Sequence, residues 1–139
     1  MPLNTKLAGH EYPATTMTVA LDGLQKYARA CNDDNPRFFD PAAPGGIVAS
    51  PMFGVVATWL SLIQAVGDPE LGVDLLRLLH SEQDMEFLAP LRPGDEITSV
   101  ARIASIEARP SAEAMTIELN ARNRARAPVV RILFQYPPD

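Results

Sequence analysis

From Met52 to Val66 the chain reads Met-Phe-Gly-Val-Val-Ala-Thr-Trp-Leu-Ser-Leu-Ile-Gln-Ala-Val, with no charged residue anywhere in it. Pro51 ahead of this segment suits the first turn of a helix, and Gly67 behind it suits a helix end. The longer apolar run, 47–66, is interrupted by Gly, Pro, Ser, Thr and Gln, which marks a core helix rather than a membrane span. Apolar residues lie nearly all round such a helix, so it is expected to be buried on most sides. Something has to wrap around it, and a sheet is the natural candidate.

The rest of the chain supplies that sheet. Residues Tyr12 to Val19 alternate and are β-branched, which predicts a first strand. Thr18 is then placed to cap a helix whose apolar positions are Leu21, Leu24, Tyr27 and Ala28, with Asp22 favourably near its positive end. That helix should stop near Asn32, where Asn, Asp and Pro favour a turn. Pro41 to Gly46 is a loop. Four strands are expected in the second half: Glu82 to Leu88, Glu96 to Glu107, Ala114 to Asn123 and Val129 to Tyr136. For the second of these, pattern alone leaves a helix open. Strand, helix, buried helix and a run of strands make an α+β domain, a curved antiparallel sheet around a long buried central helix.

At 139 residues the chain is expected to be one domain, 1–139, large enough to bury a core without disulfides or metals. Its net charge of −5 argues against nucleic acid as a partner. The basic residues cluster once, at Arg122, Arg124, Arg126 and Arg131, either as a solvated strand edge and turn or as a contact for an anionic nucleotide or a partner subunit. Cys31 is the only cysteine, and His10 and His80 are the only histidines, far apart in sequence, so no metal site is expected. No signal-peptide pattern opens the chain; a cytoplasmic protein with no membrane contact is the expectation.

The most telling segment is Cys31-Asn32-Asp33-Asp34-Asn35-Pro36-Arg37-Phe38-Phe39-Asp40. It resembles the active-site segment of the MaoC-type hydratases, hot-dog-fold proteins that add or remove water across the 2,3 bond of acyl thioesters. That segment runs Gly-Asp-x-Asn-Pro-hydrophobic-His, and its Asp and His handle protons and water. Asp33, Asn35 and Pro36 match it; Phe38 stands in the His position, Asn32 stands where Gly often precedes the Asp, and Ser50 falls where catalytic members tend to carry a second His. Ile47 to Phe53 is similar to the start of the family's central helix. Leu79-His80-Ser81-Glu82-Gln83, followed by Pro90-Leu91-Arg92-Pro93-Gly94-Asp95, is similar to elements of the MaoC-like dehydratase N-terminal group. Members of that group are the first half of double-hot-dog enzymes or small subunits that pair with a catalytic partner.

The resemblance implies the hot-dog fold and an acyl-CoA or acyl-carrier-protein thioester as ligand, with no cofactor. It implies a homodimer, or a heterodimer with a catalytic MaoC-like subunit, interconverting 3-hydroxyacyl and 2-enoyl thioesters. Hydration needs a base for the water, an acid for the α-carbon and hydrogen-bond donors aimed at the thioester oxygen. The candidate proton-handling residues are Asp33 and His80. Against those roles stand a turn-capping Asp33 and a His80 packed in the core or at a subunit interface. Candidate substrate contacts are Asn35, Phe38, Gly46, Ser50, Met52 and Phe53. Two other readings stay open: a self-sufficient homodimeric hydratase using Asp33 and His80, and a non-catalytic acyl-binding or scaffold protein. A thioesterase of the same fold is disfavoured, because such enzymes place a carboxylate near the central helix and Met52 to Val66 has none.

Overall fold

Five strands, β1 (Thr15–Thr18), β2 (Glu82–Phe87), β3 (Glu96–Arg109), β4 (Ala112–Arg122) and β5 (Pro128–Tyr136), form one sheet in the order β1-β3-β4-β5-β2. Every pairing is antiparallel. This is a computed structural model, and it describes residues 2–136. The helices are α1 (Leu21–Ala30), α2 (Phe53–Ala57) and α3 (Trp59–Val66), with single 3-10 turns at Thr5–Leu7 and Pro36–Phe38. The expected α+β layout is therefore observed, and Glu96 to Glu107 is strand rather than helix.

Alternation decides which side of the sheet faces the helices. In β4, Met115, Ile117, Leu119 and Ala121 are buried and point at the helices with Ile97, Ala101 and Ile103 of β3 and Ile132 and Phe134 of β5. Each large side chain removed from water in this way contributes roughly 1.5–3 kcal/mol. The outer face is polar. Its centre is Glu118, whose Oε2 accepts from Arg131 Nε (3.1 Å) and Nη2 (2.6 Å), while Oε1 accepts from Asn120 (3.0 Å) and Arg102 (3.3 Å). Burial alone would raise the Glu118 carboxyl, but bonds from Arg131 and Asn120, the Arg131 charge and the Arg102 bond together hold it below the ordinary range. Arg124 pairs with Glu96 at 3.0 Å, and Arg122 donates to the Arg126 carbonyl. Much of the basic cluster is thus spent on partners within the chain.

Two expectations need correction. Thr18 does not cap α1: it is the last residue of β1, paired with Glu96, and the cap position falls to Ala20, which makes no side-chain cap bond. Sheet pairing holds the Thr18 backbone, and bonds from Val19 N–H to Asp95 O and from Gly94 N–H to Val19 O fix the entry to the helix instead. The central helix is neither continuous nor buried all round. At Thr58 (φ −107°, ψ 3°) it breaks into α2 and α3, and the Thr58 hydroxyl donates to the Gly54 carbonyl at 2.9 Å. A threonine bonding back to the fourth residue before it bends a helix. α3 turns Ser61, Leu62 and Ala65 to the sheet, where Ser61 joins Thr15 and Ser99 in a cluster of hydroxyls (Oγ–Oγ 2.8 Å to Ser99). Trp59, Leu60 and Ile63 face away and are about half exposed. A single sheet covers one side of this helix, so its other apolar side is left open.

Candidate functional site

The loop after α1 is shaped by its own short side chains. Asn32 takes a left-handed conformation (φ 55°), with its N–H bonded to Arg29 O and the Asp33 N–H bonded to Ala28 O. That is the Schellman ending of a helix, in which Gly or Asn supplies the left-handed residue. The Asn32 departure from the motif's Gly is therefore conservative for the backbone. Asp33 Oδ1 accepts from the Asn35 N–H at 3.2 Å, and Asn35 Oδ1 accepts from the Arg37 N–H at 3.1 Å. These two turns deliver the chain into the Pro36–Phe38 3-10 turn, with Pro36 in its first position. Phe38 then drops into a small apolar cluster with Ala28 and Val48, its ring 6.5 Å from that of Phe39.

A cleft of about 480 Å³ opens beside this turn. One wall is Asn35, Arg37, Phe38 and the Val48–Pro51 stretch with Gly54; the other is Phe87 to Leu91 with Val129 and Val130 of β5. The walls are tied together by Ala49 N–H to Leu91 O (2.8 Å), and the first is braced by Val48 N–H to Arg37 O (3.0 Å). Arg92, next to the second wall, donates through its guanidinium to the Gly45 carbonyl, and so holds the loop ahead of the central helix. The lining is mostly apolar. Its polar side chains are Asn35, Arg37 and Ser50. These offer an amide NH2, a guanidinium and a hydroxyl as hydrogen-bond donors, while the Asn35 oxygen already accepts one backbone N–H. The described lining holds no carboxylate and no imidazole.

Of the residues expected to touch substrate, Asn35, Phe38 and Ser50 come together in this cleft. Gly46 lies outside the lining, left-handed (φ +75°) with Arg92 beside it. Met52 is exposed on the helix surface, and Phe53 is buried in the core, its ring edge-on to Tyr27 at 5.7 Å. Asp33 is not in the lining and serves as a turn cap for Asn35. His80 is elsewhere: its ring packs 5.1 Å from Phe134 and 5.5 Å from Tyr136, and its Nε2 lies 3.1 Å from Glu82 O. Tyr136 is six residues along β5 from Val130, or roughly 20 Å at strand spacing. The structure does not bring Asp33 and His80 together within one chain. Sequence reasoning did not single out Arg37, although it occupies the motif's hydrophobic position; that mismatch was the available signal. The Phe87–Leu91 and Val129–Val130 walls carried none, because apolar strand ends look alike whether they line a core or a cleft.

The fold is that of the hot-dog hydratases and dehydratases. It superposes on a chain of the C-terminally truncated HadBC (3R-hydroxyacyl-ACP dehydratase) complex from Mycobacterium tuberculosis with a TM-score of 0.83, at 20% identity over 97% of this chain and 99% of that one. The R-hydratase PhaJ1 from Pseudomonas aeruginosa gives a TM-score of 0.72, at 18% identity over 94% of this chain and 81% of that one. The chain belongs to the FAS1-like dehydratase domain family, whose model matches residues 6–131. A UPF0336 protein from Streptomyces avermitilis is 33% identical over 113 residues, 77% of this chain and 75% of the relative.

Proposed function

We propose that this chain is the acyl-binding half of a hydratase or dehydratase, holding an acyl thioester in the cleft beside Phe38 while a catalytic MaoC-like subunit supplies the proton chemistry. The observation that carries this reading is a polar lining with hydrogen-bond donors but no carboxylate or imidazole among the described residues. Amide, guanidinium and hydroxyl donors in an apolar cleft suit a thioester carbonyl, a phosphate or a carboxylate at the head of an acyl chain. They cannot take a proton from water or from the α-carbon, which is what interconverting 3-hydroxyacyl and 2-enoyl thioesters requires. Phe38 adds apolar surface where the family's motif has a base.

The open side of α3 and the free edge of β2 support a partner, and the HadBC neighbour is itself a complex. A second copy satisfies the fold equally well, but it brings a second cleft whose described lining holds no carboxylate or imidazole. Crotonyl-CoA and a long-chain acyl-CoA are the ligands to test, by calorimetry on the chain alone and by hydration with and without a catalytic MaoC-like subunit. Binding by the chain alone with turnover only in the mixture is expected. Turnover by the chain alone sinks the division of labour, and would direct attention back to Asp33 and His80.

A further inference from the structure

β2 lies at the edge of the sheet, so one of its sides has no neighbouring strand among the described residues. A free edge is a row of unpaired N–H and C=O groups, a template for another strand. Gln83 and Met85 face the helix side and are partly buried, whereas Glu82, Asp84 and Glu86 stand exposed on the outer face. None of these three carboxylates has an ion pair among the described residues. Arg131 is in register with Glu86 but turns its guanidinium to Glu118. The strand ends at Phe87, which with the following Leu88 leaves apolar surface at that end, 54% and 45% exposed.

Suppose a second copy added its β2 antiparallel about a two-fold axis. For the two sheets to continue with matching faces, outward residues must lie opposite outward residues. If Asp84 faces its own copy, Glu82 faces Glu86; if the register slips by two, Glu82 faces Asp84. Every such register sets acid against acid, and like charges directly opposite across a strand pair are unfavourable. A different chain with Lys or Arg at alternate outward positions turns the same contacts attractive. We infer that the acidic face of β2 rejects a second copy of this chain and selects a hot-dog partner whose edge strand is basic on its outer face. This deepens the subunit reading above and rests on it.

The protein can stand in for its own partner. Sedimentation velocity would compare the full wild-type chain with the isosteric Glu82→Gln/Asp84→Asn/Glu86→Gln variant and the charge-reversed Glu82→Lys/Asp84→Lys/Glu86→Lys variant. At about 0.01 M salt, where charges act over ~30 Å, the neutral variant should self-associate roughly tenfold more tightly than wild type. Wild type and the reversed variant, each weakly associating alone, should form a 1:1 complex that loosens towards about 1 M salt, where the reach falls to ~3 Å. Equal self-association of wild type and neutral variant overturns the inference, as does failure of folded wild type and folded reversed chain to combine. If the reversed chain does not fold by circular dichroism, the neutral variant decides alone. The readout involves neither ligand nor turnover, so hydration of a thioester by the mixed complex, with no catalytic MaoC-like subunit present, would count against the proposed function and leave the edge selection standing.

Discussion

Arg37 and Phe38 sit side by side at the mouth and wall of the cleft, and their substitutions separate binding from chemistry. Arg37→Gln should weaken acyl-CoA binding several-fold, since an exposed charged bond is worth about 1 kcal/mol after screening, with an unchanged melting temperature; calorimetry and a thermal scan check both parts. Phe38→His should cost stability, about 1–3 kcal/mol, because an imidazole would replace apolar packing against Ala28 and Val48. It should not give the isolated chain hydratase activity, which a direct hydration assay tests. Glu118 makes a pH prediction. Its folded carboxyl titrates below the ordinary 4.5, so its stabilisation is complete above that pH and is lost as pH falls through the lowered value. Glu118→Gln should flatten the acid limb of a stability-against-pH curve. Tyr136 works in the opposite direction: burial pushes its phenol up to about 12, so stability declines as pH rises from 10 towards that value.

Elements were more legible in the sequence than the breaks within them. The Met115, Ile117, Leu119 alternation reports β4 directly, because a strand with one buried face has only one way to pattern its side chains. The break at Thr58 was hidden, since a single hydroxyl bonding back to Gly54 leaves no trace in hydrophobic periodicity. Apolar residues all round α3 suggested burial on most sides, whereas the chain itself covers only one. The cleft was half legible: Asn35, Phe38 and Ser50 lie in or near motif segments, whereas the opposite wall depends on which strand ends the sheet brings together. The end of α1 gives a clear test. Asn32→Gly should leave stability nearly unchanged, and Asn32→Ala should lower it by about 1–2 kcal/mol, because alanine resists the left-handed conformation; urea unfolding resolves the two.

For the whole molecule, Trp59 is the only tryptophan and is 49% exposed on the open side of α3. If a partner covers that side, adding it should shift the emission to the blue and raise the melting temperature with partner concentration, as binding to the folded state alone requires. An unchanged spectrum on formation of a stable complex would place the partner elsewhere. The turn that carries Asp33 and Asn35 has a wider consequence. Both side chains spend an oxygen on backbone N–H groups, so the loop's shape is maintained by its own short side chains. The contour of this loop is therefore independent of the ring that follows it, and Phe38 can occupy the motif's last position without any change in the turns that place it.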